Sequence, residues 1–533
     1  MGNSVAGATG VRSLPIVGAV SGSSPFVGKR RGGLADERRA AALDVTVDRM
    51  LIGACLRASK RLRATAPRLS AATLGWRGRT TPTLLLMLAL LAMFNASSAV
   101  ALCILVVLPA AFRIWIVALP TRPSPDEASD TLDEQEPVYS IIIPLRGEAR
   151  VVDQLLSAIE RLNYPREKID VIIAVEAKDH ATRAAITARK HRIPIMVVPV
   201  PAVGPATKPK ALNVALSFAR GDFTVIYDAE DRPERNQLRA ALKAFRSGGG
   251  DLGCVQARLC IDTRTSWLAR YFTAEYAGHF DVVLPKLAAL GLPLPLGGSS
   301  NHFRTATLRE VGGWDPHNVT EDADLGTRLA RFGYRSGVVA SSTYEEAPAD
   351  IGRWLGQRTR WFKGWMQTWL VHMRQPHQLF RELGPAGFLA FQLIVGGNAL
   401  VALLHPVLML RMISASLQPG LRESGSGLEL AFCLLVVVTG YLLSASIGFL
   451  GLTRRGLLKQ AGVLVLTPLH WLLLSIAAWW AAIELIHAPF RWRKTEHGLD
   501  KASRLRSNTR SLLELERLLG DLKRRGELAQ IQD

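Results

Sequence analysis

An α/β domain inserted between transmembrane α-helices is the fold class that this sequence predicts, and three observations predict it. The composition is membrane-like: of 533 residues, 48% are hydrophobic and only 21% charged, with a mean hydropathy of +0.15. Apolar blocks long enough to span a bilayer lie at about 83–119, 386–410, 428–450 and 461–487. Between the first block and the rest, some 250 residues alternate apolar strands with helical patterns, which indicates a largely parallel sheet. Five scattered cysteines, Cys55, Cys103, Cys254, Cys260 and Cys433, fit neither a disulfide framework nor a structural zinc site.

Residues 1–80 carry fourteen Lys/Arg against four Asp/Glu, half of the net charge of +20. The first thirty, rich in Gly, Ser, Val and Pro, read as disordered. From Leu34 to Leu62 the apolar residues Leu43, Val47, Leu51 and Cys55 recur about every four positions, a helical period. A basic arm suits nucleic acid or the cytoplasmic flank of a membrane span, and the apolar block that follows at once favours the flank. That block begins only after residue 80, too late for a cleavable signal peptide. Its 37 residues from Thr83 to Leu119 would make about 55 Å of helix against a core about 30 Å thick, so two tight spans turning near Asn95 fit better than one. Late in the chain, Arg454-Arg455 and the tail from Arg491 both look cytoplasmic by charge, yet the block between them is too short to cross twice. Either Pro468 breaks it into a re-entrant hairpin or one basic loop violates the charge rule. The expected order is a basic, largely disordered region at 1–80, a transmembrane hairpin at 81–120 and an α/β domain at 137–350. Interfacial amphipathic helices follow at 351–384, a transmembrane region at 385–488 and a basic cytoplasmic tail at 489–533.

The α/β stretch opens with the strand Val138–Pro144, then a helix over Val151–Leu162 and strands at Asp170–Val175, Ile195–Val200 and Phe223–Tyr227. Ligands in such sheets bind beyond the carboxyl ends of the strands, and there the acids gather. One strand runs into Glu176-Ala177-Lys178-Asp179, another into Asp228-Ala229-Glu230-Asp231, and a later loop carries Thr320-Glu321-Asp322-Ala323-Asp324. A lone acidic pair is commonly a helix cap. An apolar strand ending in D-x-E-D gathers hard oxygen ligands suited to Mg²⁺ or Mn²⁺ holding a diphosphate, with Lys208 some twenty residues earlier as a second positive charge. Farther on, Gln357-Arg358-Thr359-Arg360-Trp361 opens a stripe of Trp361, Trp365 and Trp369 at four-residue spacing, which suits an interfacial helix.

The ordered set Asp228-Ala229-Glu230, Thr320-Glu321-Asp322 and Gln357-x-x-Arg360-Trp361 resembles the D-x-D, T-E-D and Q-x-x-R-W signatures of processive family 2 glycosyltransferases, the membrane group of cellulose, chitin and hyaluronan synthases. The resemblance covers roughly residues 137–373 and implies a GT-A nucleotide-sugar domain. It also implies roles. Glu148 and Glu176 would contact uridine, with Asp179 a candidate to share that task where the family more often has Asp-Asp-Gly. Lys208 would touch the diphosphate. Asp228 and Glu230 would form the metal-binding pair, Glu standing for the second Asp, with Asp231 a competing ligand. Asp322, beside Glu321, would be the general base, and Gln357, Arg360 and Trp361 would steady the leaving group and stack the acceptor sugar. The segment Leu296–Arg304 reads equally as a Gly/Ser turn or an acceptor wall, and Pro489–Gly498 as a basic anchor or a gating loop.

The implied activity is an inverting hexosyltransferase in the inner membrane, multi-pass with its catalytic domain cytoplasmic, building a β-linked polysaccharide from a UDP-hexose, UDP-glucose first among them. The alternatives are single transfer to a lipid carrier and a catalytically dead nucleotide-sugar-binding protein. The partners implied are the UDP-sugar donor, a glycan or lipid-linked acceptor and membrane lipids; nucleic acid is not among them, and an export partner is left open.

Overall fold

The computed structural model describes residues 34–74, 96–120, 136–262, 266–348, 350–417 and 426–491. The first thirty-three residues, the first arm of the expected hairpin with its turn at Asn95, and the tail beyond Arg491 lie outside the described residues.

The helical period expected from Leu34 to Leu62 is met by α1 (Leu34–Thr65), one 32-residue helix, followed by two short 3₁₀ turns reaching Thr73. Its Cys55 and Ala58 join the core beneath the sheet. Arg61 donates to the Arg309 carbonyl at 2.9 Å, and the Asp315 carboxylate accepts from the Ala71 N–H at 2.5 Å and the Ser70 hydroxyl at 3.2 Å. Residues 55–71 are thus a strap bound to the α/β domain. α2 (Ala96–Ala118), the second arm of the hairpin, is apolar with Pro109 inside.

Then comes the sheet. Its strands are β1 (Tyr139–Leu145), β2 (Ile169–Glu176), β3 (Ile195–Val200), β4 (Phe223–Ile226), β5 (Arg232–Pro233), β6 (Leu252–Ile261), β7 (Asn301–Arg304) and β8 (Arg335–Glu345), in spatial order β3-β2-β1-β4-β7-β6-β8-β5. The first four are parallel, Tyr139 lying opposite both Ile169 and Phe223. β7 runs antiparallel to β4 and β6, and β5 antiparallel to β8. The expected largely parallel sheet is therefore mixed. Side chains alternate across a strand, and β1 shows it: Tyr139, Ile141, Ile143 and Leu145 pack in one core layer and Ile142 in the other. Every one of these is buried, which explains why the strand reads as a continuous apolar run.

Around the sheet lie α3 (Lys208–Leu216), α4 (Trp267–Ala277) and α5 (Glu321–Arg331). α6 (Ile351–His372) is the Trp- and Arg-rich helix, capped by Asp350 accepting from the Arg353 N–H at 2.9 Å. α7 (Pro376–Phe391) bends at Gly384 and runs through a π-turn into α8 (Gly397–Ser416). α9 (Ser426–Arg454) and α10 (Thr467–His487) complete the described chain. Among the described residues three helical stretches, Pro376–Ser416, Glu429–Arg454 and Leu458–His487, are long and apolar enough to cross a membrane. Leu404, Val407 and Leu408 of α8 pack on Val106 of α2 and Cys433, Val436 and Val437 of α9, while Leu435, Leu442 and Ile413 remain more than half exposed on the outside. A continuous apolar exterior suits lipid better than water.

α10 behaves differently from its neighbours. At its start the Tyr271 hydroxyl of α4 donates to the Thr467 hydroxyl at 3.2 Å; at its end Lys363 of α6 donates to Glu484 at 3.0 Å and to the Arg491 carbonyl at 2.6 Å. Between these, Trp354 meets His470 edge-on. α10 lies along α6, its start tied to α4 of the α/β domain and its end to α6. The neighbouring Arg455 is held on Asp281 at 2.6 Å. Arg455 thus packs on the α/β domain, and the described end of the chain at Arg491 packs on α6.

Candidate active site

A cavity of about 440 Å³ opens at the carboxyl ends of β1, β2 and β4 and continues down between the apolar helices. Ten of the residues singled out in the sequence line it: Glu148, Glu176, Lys208, Asp228, Glu230, Glu321, Asp322, Gln357, Arg360 and Trp361. Asp179 and Asp231 do not.

At the end of the cavity beside β1 and β2, Glu176 pairs with Arg146 at 3.3 Å, both partly exposed. Asp179 caps the following helix, accepting from the Thr182 N–H at 3.1 Å, and also holds the Gly147 N–H at 2.5 Å. Its carboxylate shapes the loop that carries Glu148. Lys208 begins α3 and reaches Asp228 at 2.7 Å and the Gly298 carbonyl at 2.8 Å. Burial alone would lower its ammonium, but Asp228, Glu321 and Asp322 more than reverse this, so it stays charged. A Cβ at Gly298 would stand 3.2 Å from the Asp322 carboxylate and 3.9 Å from Lys208 Nζ. The glycine therefore lets backbone close on both groups, and Leu296–Ser299 form a cavity wall. Beside it Ser300 holds a φ of 55°, a strained conformation of the kind found at functional loops.

The acids after β4 divide their work. Asp228 and Glu230 face the cavity. Asp231 is fully buried, one carboxylate oxygen accepting from the Asp228 N–H at 2.7 Å and from the Ser299 hydroxyl. Burial, then the Asp228 and Glu230 charges, push it well above the usual carboxylate range. Sequence reasoning missed Glu345, which ends β8 and lines the same cavity. Burial and the charges of Asp231, Glu230 and Asp228 push its carboxyl well up too. Nothing in the sequence marked Glu345, since the run before it, residues 336–344, is mostly small and polar rather than apolar. Crowded carboxylates that raise one another's pKa are a setting that a divalent cation relieves, so the residues present fit Mg²⁺ or Mn²⁺. Among the described residues no three His, Cys, Asp or Glu converge into a protein-only cage.

Thr320-Glu321-Asp322 opens α5, so Asp322 sits at a helix N-terminus and accepts from the Ala323 N–H at 2.8 Å. Burial raises Asp322 against that hydrogen bond, Lys208 and Arg360. Burial and the Asp322 charge lift Glu321 to about 7. Asp324 instead ties α5 to α6, bound to Arg328 at 2.8 Å and His372 at 3.1 Å. α6 approaches this turn at Gly364, where a Cβ would fall 2.1 Å from the Thr320 hydroxyl. That contact seats Gln357, Arg360 and Trp361 opposite Asp322. Gln357 Oε1 and Arg360 Nε are buried without a hydrogen-bond partner, polar groups left for a ligand to satisfy. The tryptophan stripe divides: Trp361 stands beside Phe272 and Tyr276 at 27° to each ring, whereas Trp365 and Trp369 pack on the cluster of Leu379, Phe391 and Val395. Chemically, the cavity offers a carboxylate at a helix terminus, Lys208 and Arg360 among five cationic side chains, a cluster of acids and an aromatic face.

Two family models match: "Glycosyl transferase family 2" over residues 140–297 and "Glycosyl transferase family group 2" over residues 223–487. A probable glycosyltransferase, YdaM, of Bacillus subtilis is 25% identical over 254 residues, 46% of this chain and 59% of its own. The beta-monoglucosyldiacylglycerol synthase of Synechocystis is 25% identical over 295 residues, 54% of this chain and 61% of its own. The poly-beta-1,6-N-acetyl-D-glucosamine synthase of Staphylococcus epidermidis is 24% identical over 227 residues, 42% of this chain and 54% of its own. The chain thus spans between half and two thirds of the length of these relatives. A solved mannosyltransferase from Pyrobaculum calidifontis, in complex with GDP-Man and Mn²⁺, overlaps 70% of this chain and 97% of its own at 20% identity and a TM-score of 0.45.

Proposed function

The chain carries the domains of a family 2 glycosyltransferase, and from that premise we propose that it transfers a hexose from a UDP-linked donor, UDP-glucose first among candidates, with inversion, to extend a β-linked polysaccharide at the membrane. The observation that carries this reading is the continuity of one cavity, from Glu148 and Glu176 past Asp322 and Trp361 to Asn398, Ser444 and Trp471 among the apolar helices. The acceptor hydroxyl gives its proton to Asp322 while its oxygen attacks the anomeric carbon. The bond from that carbon to the diphosphate breaks on the opposite face, and UDP leaves with the bonding pair. Lys208 and Arg360 offset the charge that develops on the diphosphate, an effect of several kcal/mol in comparable sites. Asp228 and Glu230 would hold Mg²⁺ or Mn²⁺, which would neutralise the same oxygens. Glu148 and Glu176 would receive the uridine, and Trp361 would offer its flat face to the acceptor pyranose. The apolar helices and the basic N-terminal region support placement in the inner membrane, with the catalytic domain on the cytoplasmic side.

A second reading, single transfer to a lipid, has a specific observation behind it. Ile394, Ala402, Ile447, Leu464 and Leu474 make the membrane end of the cavity largely apolar, and one relative is named a beta-monoglucosyldiacylglycerol synthase. Incubating membranes that contain the protein with separate UDP-sugars, then analysing the product, separates the two. A β-linked polymer supports the first reading; one sugar on an extractable lipid supports the second.

A further inference from the structure

Arg358 is an unassigned position of Gln357-x-x-Arg360-Trp361, and Glu275 lies outside every motif. Glu275 of α4 accepts both ends of the Arg358 guanidinium, at 2.7 and 2.5 Å. The Arg358 side chain is only 6% exposed. Its guanidinium carbon lies 4.4 Å from the Trp361 ring centre, 4.8 Å from that of Phe272 and 5.2 Å from that of Trp354. A bidentate carboxylate holds a guanidinium in one plane, and a cation over an indole face is attracted to it.

We propose that Glu275 and Arg358 form a positioning pair that fixes the plane of Trp361, so that the indole presents one face to an acceptor pyranose. The inference rests on the reading of Trp361 as an acceptor wall. The pair reaches the acceptor through Trp361 and has no part in bond breaking: Glu275 neutralises the charge of Arg358, which leaves Lys208 and Arg360 to face the diphosphate. Both residues line the cavity beside Trp361 and Tyr276, so a loosened indole would swing into the space that the sugar needs. Lysine cannot replace the fork, because a point charge on a flexible stem neither binds a carboxylate bidentately nor lies flat on a ring.

The test uses the full chain in lipid nanodiscs, loaded with UDP, and cellotetraose as the probe for a pyranose acceptor. Cellotetraose and UDP affinities are measured by calorimetry for the unaltered protein, Trp361→Ala, Arg358→Lys, Glu275→Gln and the double variant Arg358→Lys/Trp361→Ala. The expected result is a loss of cellotetraose affinity of roughly tenfold in each single variant, the order of one cation–π contact plus its alignment. The double variant should be no worse than Trp361→Ala alone, and UDP affinity should not change in any of them. Losses that multiply in the double variant, or UDP affinity falling alongside, would overturn the positioning role while leaving Trp361 as the acceptor wall. Trp361→Ala with full cellotetraose affinity, or no binding by the unaltered protein, would overturn the acceptor reading and the proposal with it. Glu275→Gln gives an independent result should Arg358→Lys fail to fold.

Discussion

Glu321 and Asp322 are adjacent buried acids, and their protonation sets a pH dependence whose sign follows from the direction of the shifts. Burial and the neighbouring charge raise Glu321 to about 7 and Asp322 above its ordinary value. A raised carboxyl holds its proton to higher pH, so Glu321 takes one up as pH falls through about 7, while Asp322, also raised, is protonated at a higher pH than a free aspartate. The transfer rate should therefore fall as the medium is acidified and Asp322 takes up its proton; an initial-rate profile that stays flat down to about pH 4, the ordinary aspartate range, would remove Asp322 from the proton transfer. The acids after β4 make a second prediction. Glu230→Ala should weaken Mn²⁺ binding, followed by the loss of the free-ion EPR signal on titration, whereas Asp231→Ala should chiefly lower the unfolding temperature, since its carboxylate is committed to Ser299 and the Asp228 N–H. Weaker Mn²⁺ binding in Asp231→Ala alone would move the second ligand to Asp231. At this scale the sequence was most legible where residues lie within one short motif. Glu345 and the Glu275–Arg358 pair escaped because their partners are set by the tertiary fold and no spacing announces them.

α6 owes its place to one small residue. With a Cβ at position 364 predicted 2.1 to 2.6 Å from three atoms of Thr320, Gly364→Ala should push α6 off the N-terminus of α5, costing about 1–3 kcal/mol of stability and most of the transfer activity. Gly356 on the same helix has nothing within 4 Å of its Cβ site, so Gly356→Ala should be neutral or slightly stabilising, as alanine favours a helix. Thermal unfolding and transfer assays on the two variants compare them directly; equal effects would dissociate the close approach from the site. β1, β2 and β4 were readable because each is a short apolar run buried on both faces; β3, at the edge of the sheet with Val197 exposed, was readable from its Ile and Val residues alone. β7, with Asn301, His302 and Arg304 in four residues, was not. Its polar side chains are partnered in part within the fold: His302 Nδ1 meets the Tyr139 hydroxyl at 2.6 Å and the Arg304 guanidinium donates to the Leu252 and Phe245 carbonyls at 3.0 Å, while His302 Nε2 and Asn301 Oδ1 are buried without a hydrogen-bond partner. The strap was half readable: period gave the helix α1, but its docking depends on Asp315 and Arg309, more than two hundred residues away.

Across the whole molecule, α10 separates composition from placement. Length and hydropathy alone make Leu458–His487 a span, yet its contacts with Tyr271 and Lys363 tie its start to α4 of the α/β domain and its end to α6. Cys55, Cys254, Cys260 and Cys433 are buried; with Cys103 replaced by serine, single cysteines introduced at Lys459, His487 and the exposed Glu167 of the catalytic domain can be labelled from either face of sealed vesicles. All three should react with an impermeant maleimide from the same side; His487 reacting from the opposite side would make α10 a true crossing. Such an arrangement leaves one cavity serving donor, base and acceptor, which is the claim on which the functional account depends. The most direct measurement supplies radiolabelled UDP-hexoses, one at a time, to membranes carrying the unaltered protein or Asp322→Asn, and follows label in product together with UDP affinity. The account predicts label in a β-linked product from at least one UDP-hexose, and none with Asp322→Asn although UDP binds as before. Undiminished product from Asp322→Asn, or no transfer from any UDP-hexose by the unaltered protein, would contradict it.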